Sequence, residues 1–284
     1  MIAKAEKEYI SINGYDMAFY TAGDPSNPAV LLIHGWASHL GVWEDTVNLL
    51  QSHYYCVAMD VIGLGDSQKP SDADYSIEAQ ASQIVALANA LNIGTFGLIG
   101  HSRGGMLAMQ IAANTAPTRT TFLIDVDGAV TGSVGSYQYW ALGSRLLIGR
   151  FVPSLYRVTK RAYGRVRRLA ELEFSPWFYD ISQVPEDRWQ QDLEFATRHD
   201  AHISNWKTGL SLRTTDLSED LHKIAVPTLV LFGAQDACIS VNEGMIAAGR
   251  IPHARLIVID ECGHYPMYEK RDAYLYHIAE FLLD

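Results

Sequence analysis

Cysteine is scarce. The 284 residues hold three, Cys56, Cys238 and Cys262, with no C-x-x-C pair among them. An odd, scattered set indicates neither a disulfide framework nor a cysteine-based zinc site, and the three read as ordinary thiols. Cations are in deficit as well, with 22 Lys and Arg against 32 Asp and Glu, a formal net charge of −10. That balance argues against general nucleic-acid binding, which needs a basic face. No run approaches the ~18 apolar residues of a transmembrane helix. The stretch Met1 to Glu8 is rich in lysine and glutamate and has no apolar core of the kind a signal peptide carries, so the cytoplasm is the expected compartment. Gly63-x-Gly65 lacks the third glycine and the helix start of a dinucleotide-binding turn. There is no internal repeat and no low-complexity segment. What is present is ordinary globular material, 48% hydrophobic and 19% charged, sized for one large domain or one domain with an inserted subdomain.

Strand and helix patterns alternate along most of the chain. Asn13-Gly14 between Tyr9-Ile10-Ser11-Ile12 and Met17-Ala18-Phe19-Tyr20 predicts a hairpin. Ala29 to Ile33 is an uninterrupted apolar run, as in a strand buried on both faces of a parallel sheet. Further strands are predicted at Tyr55–Met59, Phe96–Ile99, Thr121–Val126, Val226–Phe232 and Arg255–Ile259. Helices are predicted from Val42 to Leu50, Ile77 to Leu91 (with Ser76 as cap), Met106 to Ala113, Asn242 to Gly249, and through Tyr274 to Leu283. This rhythm implies an α/β fold with a mostly parallel sheet covered on both faces. It breaks between about residues 131 and 214, where the pattern is helical and aromatic. That stretch is read as a helical cap inserted between core segments 1–130 and 215–284. Tyr139, Trp140, Trp177 and Trp206 in it are candidates to line a substrate pocket.

The chain is organised around Gly100-His101-Ser102-Arg103-Gly104-Gly105, between a predicted strand and a predicted helix. Gly-x-Ser-x-Gly in that setting is a nucleophile elbow. A serine that attacks a carbonyl stands on a sharp turn, so its neighbours two residues away must be small enough for the backbones to crowd. The helix behind it directs its positive end at a forming oxyanion. Ser102, Asp236 and His264 each follow a predicted strand, and in a parallel sheet those strand ends lie along the edge where ligands bind. Such a set would let His264 take and return the Ser102 proton while Asp236 fixes its tautomer. Asp125 and Asp127 end another predicted strand, and Asp236 is preferred to them by the order Ser…Asp…His. The expected oxyanion donors are the backbone N–H groups of Trp36 and Arg103. His34 and His101 are expected to bond neighbouring loops, and Asp60, Gly63 and Gly65 to shape one.

With His34-Gly35-Trp36, Asp60-x-x-Gly63-x-Gly65-x-Ser67, the serine turn, Gly233-x-x-Asp236 and Gly263-His264-x-Pro266 in this order, the chain resembles the α/β-hydrolases over essentially its whole length. Haloalkane dehalogenases and epoxide hydrolases of that fold carry aspartate at the elbow, whereas serine implies acyl transfer of the carboxylesterase and lipase kind. The resemblance implies a serine esterase with a helical cap, working without metal or organic cofactor on a small, apolar acyl substrate. Locally, His34-Gly35-Trp36 with Val42-Trp43 is similar to carboxylesterases that cleave methyl esters of acyl-carrier-protein-bound acids. Thioester and lactone hydrolysis, C–C bond hydrolysis, perhydrolysis and a non-enzymatic ligand receptor share the same residues as alternatives. Two positions depart from the family pattern. Ala37 stands where related chains often carry proline, and Arg103 stands where methionine or leucine is common, although only the backbone of residue 103 is needed for the hole.

One absence is local. From Gly128 to Ala170 there is no acidic residue, while Arg145, Arg150, Arg157, Lys160, Arg161, Arg165, Arg167 and Arg168 fall within it. In an acidic chain this asymmetry marks either a solvated face or a docking face for an anionic carrier or membrane surface. Reversing Arg161, Arg165 and Arg168 to glutamate is expected to raise KM for an anionic acyl carrier and spare a small neutral ester. Steady-state kinetics on both substrates checks this, and an unchanged KM for the carrier would sink the docking reading.

Overall fold

A computed structural model describes residues 6–135, 151, 152, 154, 155, 158, 162, 166–197 and 201–283. Eight strands make one sheet: β1 (Glu8–Ile12), β2 (Tyr15–Ala22), β3 (Ala29–Ile33), β4 (Tyr55–Met59), β5 (Phe96–His101), β6 (Thr120–Val126), β7 (Thr228–Gly233) and β8 (Ala254–Ile259). Their order is β1-β2-β4-β3-β5-β6-β7-β8. β2 pairs antiparallel with β1 and β4, and every other pair is parallel. Asn13 and Gly14 turn the β1–β2 hairpin with φ of 53° and 87°, the left-handed pair a two-residue hairpin turn requires.

β3 shows why the apolar run reads as a doubly buried strand. Leu31 and Ile33 enter the core on one face of the sheet, and Val30 and Leu32 enter the core on the other. The helices follow the same division. α2 (Ile77–Ala90), α3 (Arg103–Gln110) and α7 (Val241–Arg250) cover the first face, while α1 (Glu44–Leu50) and the closing α8 (Arg271–Leu282) cover the second. Ser76 caps α2 by accepting from Ala79 N at 3.2 Å. Cys56, Cys238 and Cys262 are buried free thiols.

Strand order sets the location of the site. From β3 the chain moves to β4 on one side, and from β5 to β6 on the other, so the C-terminal ends of β3 and β5 flank a switch point where α/β sheets bind ligands. Trp36 follows β3 and Ser102 follows β5. Between β6 and β7, where the sequence predicts the inserted cap, the described residues hold helices α4 (Arg167–Phe174), α5 (Glu186–Thr197) and α6 (His202–Thr214) and no strand. Arg188 of α5 ties them to α1 through Glu44 (2.5 Å) and Asp45. Tyr139, Trp140 and the cations at 145, 150, 157, 160, 161 and 165 lie outside the described residues. Arg167 pairs with Glu171 and Glu186.

α3 starts at Arg103, three residues earlier than its apolar periodicity predicts, and gives way to a wider turn at Ile111–Thr115. Glycines at 104 and 105 weaken helix propensity, which hides the first turn, yet each is demanded by packing. A side chain at Gly104 would strike the Ile33 carbonyl, and one at Gly105 or Gly128 would strike the Asp125 carboxyl. Asp125 is fully buried there, and burial, reinforced by the charge of Glu243, pushes its carboxyl up to about 8. Because the folded chain holds this proton while the unfolded chain releases it near 3.8, the group's contribution is fully present at acid pH and is lost as pH rises toward 8. Asp125→Asn should therefore match wild-type stability near pH 4 and exceed it progressively up to pH 8. Thermal unfolding across that range checks it, and parallel curves for the two proteins would contradict the assignment.

Candidate active site

Ser102 sits between β5 and α3 with φ 56° and ψ −120°, a region that side chains other than glycine rarely adopt. Its surroundings hold it there. Its N–H donates to Val126 O at 2.9 Å, and its carbonyl accepts from Gly105 N and Met106 N at 3.0 and 3.2 Å. A side chain at Gly100 would collide with the Gly104 carbonyl, so the turn closes only with glycine at both positions. Gly35 packs so tightly on the turn that a Cβ there would lie 3.0 Å from Ser102 Cβ. Trp36 N–H therefore follows immediately after a direct contact with the serine. Arg103 N–H opens α3 and has no acceptor within the helix.

His264 lies in the loop after β8 and is buried. Its Nδ1–H donates to Asp236 Oδ2 at 2.6 Å. Asp236 Oδ1 in turn accepts from Cys238 N and Ile239 N at 2.7 and 3.1 Å. With its proton on Nδ1, His264 keeps Nε2 as a lone-pair acceptor, and that atom is buried without a hydrogen-bond partner among the described residues. His101 Nε2–H donates to the His264 carbonyl at 2.7 Å, and burial holds His101 well below the usual histidine range, so it is neutral. Burial likewise brings His34 down to about 4. It donates from Nδ1 to Gly35 O and accepts at Nε2 from Val61 N. Asp60 accepts from Leu40 N and Asp66 N, and its carboxyl fills the space a side chain at Gly65 would need.

Chain order does not separate the three aspartates, because Asp125 and Asp127 also fall between Ser102 and His264; geometry does. Only Asp236 reaches His264. Asp127 accepts from Gly233 N at 2.8 Å, and burial together with the neighbouring charge of Asp236 pushes its carboxyl well above the usual range. Burial thus favours the neutral form of Asp127. At the other departure, Ala37 has φ 54°, a conformation closed to proline, whose ring holds φ near −65°. The loop after Trp36 therefore follows a path that a proline at 37 would forbid.

Trp177 tilts against His264 at 5.6 Å between ring centroids, and its carbonyl accepts from His264 N at 2.8 Å. Trp206 is half-buried on α6. Two residues escape sequence reasoning. His39 Nε2–H donates to Asp192 of α5 at 3.0 Å, with its ring stacked on Phe195. Glu269 carries three backbone bonds, to Gly263 N at 3.0 Å through one oxygen and to Tyr179 N and Asp180 N at 2.7 and 3.1 Å through the other. Burial pushes its carboxyl up against those three donors. A lone glutamate in a short helical turn carries no signal of this. Beside the loop, a cleft of about 470 Å³, counting its open mouth, has aromatic walls from Phe174, Phe178, Trp189 and Tyr265 and a polar end at His39 and Asp192. Ser102 and His264 do not line it.

Residues 28–271 match the family model described as alpha/beta hydrolase fold. The pimeloyl-[acyl-carrier protein] methyl ester esterase of Aliivibrio salmonicida is 27% identical over 263 residues, covering 92% of this chain and 94% of that protein. The 2-hydroxy-6-oxononadienedioate/2-hydroxy-6-oxononatrienedioate hydrolase of Cupriavidus pinatubonensis is 24% identical over 260 residues, 89% of this chain and 86% of that one. Among solved structures, the enol-lactonase from Burkholderia xenovorans superposes with a TM-score of 0.80 at 22% identity, covering 98% of this chain and 100% of that chain.

Glu269→Gln offers one acceptor oxygen to three N–H groups and turns an NH2 toward at least one of them. The cost should be about 2–4 kcal/mol, and Tm should fall by about 5–10 °C on the scale for a domain of this size. Differential scanning calorimetry at neutral pH measures it, and an unchanged Tm would remove Glu269 as a structural clamp.

Proposed function

The chain belongs to the alpha/beta hydrolase fold family, and on that premise we propose that it is a serine hydrolase that cleaves a carboxylic ester through an acyl-enzyme. The observation that carries the reading is the 2.6 Å bond from His264 to Asp236, which leaves a buried, unpartnered Nε2. It is joined by a serine held at φ 56° at the end of β5, with β6 between that strand and β7 in the sheet. In this reading Ser102 Oγ attacks the ester carbonyl carbon while His264 Nε2 accepts its proton. Asp236, with both oxygens hydrogen-bonded, keeps the imidazole in the right tautomer and stabilises the imidazolium. The N–H groups of Trp36 and Arg103 receive the oxyanion. Collapse expels the alcohol, which takes the proton from His264, and leaves Ser102 acylated. Water, deprotonated by the same nitrogen, then releases the acid.

Two features support an apolar substrate group: the aromatic cleft beside the Ala37–Ser38 loop, and Trp177 against His264. Lactone, thioester and C–C bond cleavage would use the same residues, and a substrate panel separates them.

A p-nitrophenyl ester series of increasing acyl length is expected to show hydrolysis with a chain-length optimum. Ser102→Ala should lower kcat by about three orders of magnitude or more without loss of fold, and Asp236→Asn by about 10⁴ through the wrong tautomer. Asp127→Asn, an isostere of a protonated acid, should keep most of the activity. Near-full activity in Ser102→Ala would defeat the assignment, and comparable losses at 127 and 236 would reopen the choice of acid.

A further inference from the structure

The two residues proposed as oxyanion donors have something else in common. Each places its side chain on the same helix of the inserted segment. Trp36 Nε1–H donates to Asn205 O of α6 at 2.9 Å. Arg103 Nε–H donates to Thr208 O at 3.1 Å, and its Nη2 donates to Ser211 Oγ at 3.0 Å and to Tyr75 O at 3.2 Å. Asn205, Thr208 and Ser211 are spaced three apart, so the anchors climb one face of α6 in successive turns. Gly209, on the turn between them, lets the indole lie flat on the helix, since a Cβ there would be 3.1 Å from Trp36 Cζ2.

α6 is itself fixed to the core. Ser204 Oγ–H donates to Gly63 O at 2.6 Å, and the Ser204 carbonyl accepts from Thr208 Oγ–H at 2.7 Å; both residues are buried. From α6, Lys207 Nζ reaches Ser71 O at 2.8 Å.

Arg103 is the informative member. It is 1% exposed and, among the described residues, has neutral acceptors and no carboxylate partner. Burial brings the guanidinium down to about 9, which leaves it charged at neutral pH. A buried cation without a counter-charge is a poor source of stability, and an apolar side chain of the same length would fill the space at less cost. What the guanidinium supplies is geometry, a planar fork that reads the position of α6 and transmits it to the residue whose N–H opens α3.

We propose that α6 is the template that spaces the oxyanion hole, with the side chains of Trp36 and Arg103 as positioning groups that hold their own backbone N–H groups against one helix. The inference rests on the hydrolase reading above. Oxyanion donors act over 2.7–3.1 Å, so small displacements are costly in rate.

The test compares wild type with Trp36→Phe, Arg103→Met and Gly209→Ala. Trp36→Phe removes the indole donor together with its pyrrole ring, Arg103→Met keeps the side-chain length without the fork, and Gly209→Ala crowds the indole, which must give by a few tenths of an ångström, without altering either donor residue. Each is assayed for kcat and KM on the best ester of the panel, for affinity toward a trifluoromethyl ketone of matching acyl length, for labelling by a fluorophosphonate, and for Tm. The expected result is a fall in kcat of about ten-fold or more with KM within about three-fold, since one donor is displaced rather than deleted. Trifluoromethyl ketone affinity falls in parallel, and the Tm of Arg103→Met does not fall. Wild-type kcat in folded Trp36→Phe and Gly209→Ala overturns the inference, whatever becomes of Arg103→Met. A wild type that hydrolyses no ester and is not labelled overturns the hydrolase reading and this inference with it.

Discussion

The backbone of Ser102 is the constraint around which the rest is built. A left-handed φ of 56° costs energy at a residue with a side chain, and it persists only because its surroundings over-determine it. Ile33, Gly35, Gly100, Gly104 and Val126 come from three neighbouring strands and their loops, and each contacts the turn through backbone or through a missing side chain. β5 must therefore lie between β3 and β6, in register, before the serine can stand where it does. The register pairs Ile33 with Gly100 and His101 with Val126, which brings the three strand ends level. Sheet order and turn geometry are one requirement seen at two scales.

Burial then sorts the charges around that turn. Asp125, Asp127, Asp236, His34, His101 and His264 gather within a few residues of the strand ends, and among these six the one histidine–carboxylate hydrogen bond is that of His264 with Asp236. Asp125 and Asp127 are driven toward the neutral form by burial, reinforced by the charges of Glu243 and Asp236 respectively. His34 and His101 are driven toward the neutral form by burial, and each is committed by hydrogen bonds to a loop backbone. Asp236 differs because its second oxygen receives two N–H groups from the loop that follows it. Asp127 accepts a single backbone N–H, from Gly233.

Legibility in the sequence follows the same physics. β3 and β4 were readable to the residue because a doubly buried strand is an unbroken apolar run, and the other strands to within two residues. Ser102, Asp236 and His264 were readable as a set because each sits in a spaced motif at a strand end, although chain order could not single out Asp236. The start of α3 was hidden because Gly104 and Gly105 serve tertiary contact against local propensity. Glu269, His39 and Asp192 were hidden because their partners lie in segments far away along the chain, and no local pattern encodes such a pairing. At Arg103 the sequence spoke only for the backbone. The motif leaves the side chain at that position open, and only the packing of α6 shows that it bonds Thr208 O and Ser211 Oγ.

The segment between β6 and β7 is joined to the strand-end loops by hydrogen bonds on two sides, which limits how it can move. Glu269 binds the N–H groups of Gly263 and of Tyr179 and Asp180 with a single carboxyl, and Trp177 accepts from His264 N. On the opposite side, α6 takes the Trp36 and Arg103 side chains and α5 takes His39. The loops that carry His264, Trp36 and Arg103 are thus each bonded to a described part of the segment between β6 and β7. A rigid-body lift of those parts would break several buried or part-buried hydrogen bonds at once, each costing about 1 kcal/mol or more when left unmade, and would displace the loops that carry Trp36, Arg103 and His264 together. Ala37 and Ser38 line two clefts between that loop and the segment, one walled by residues of α4 and α5 and the other by residues of α5 and α6, and Ala37 follows a backbone path that proline would not allow.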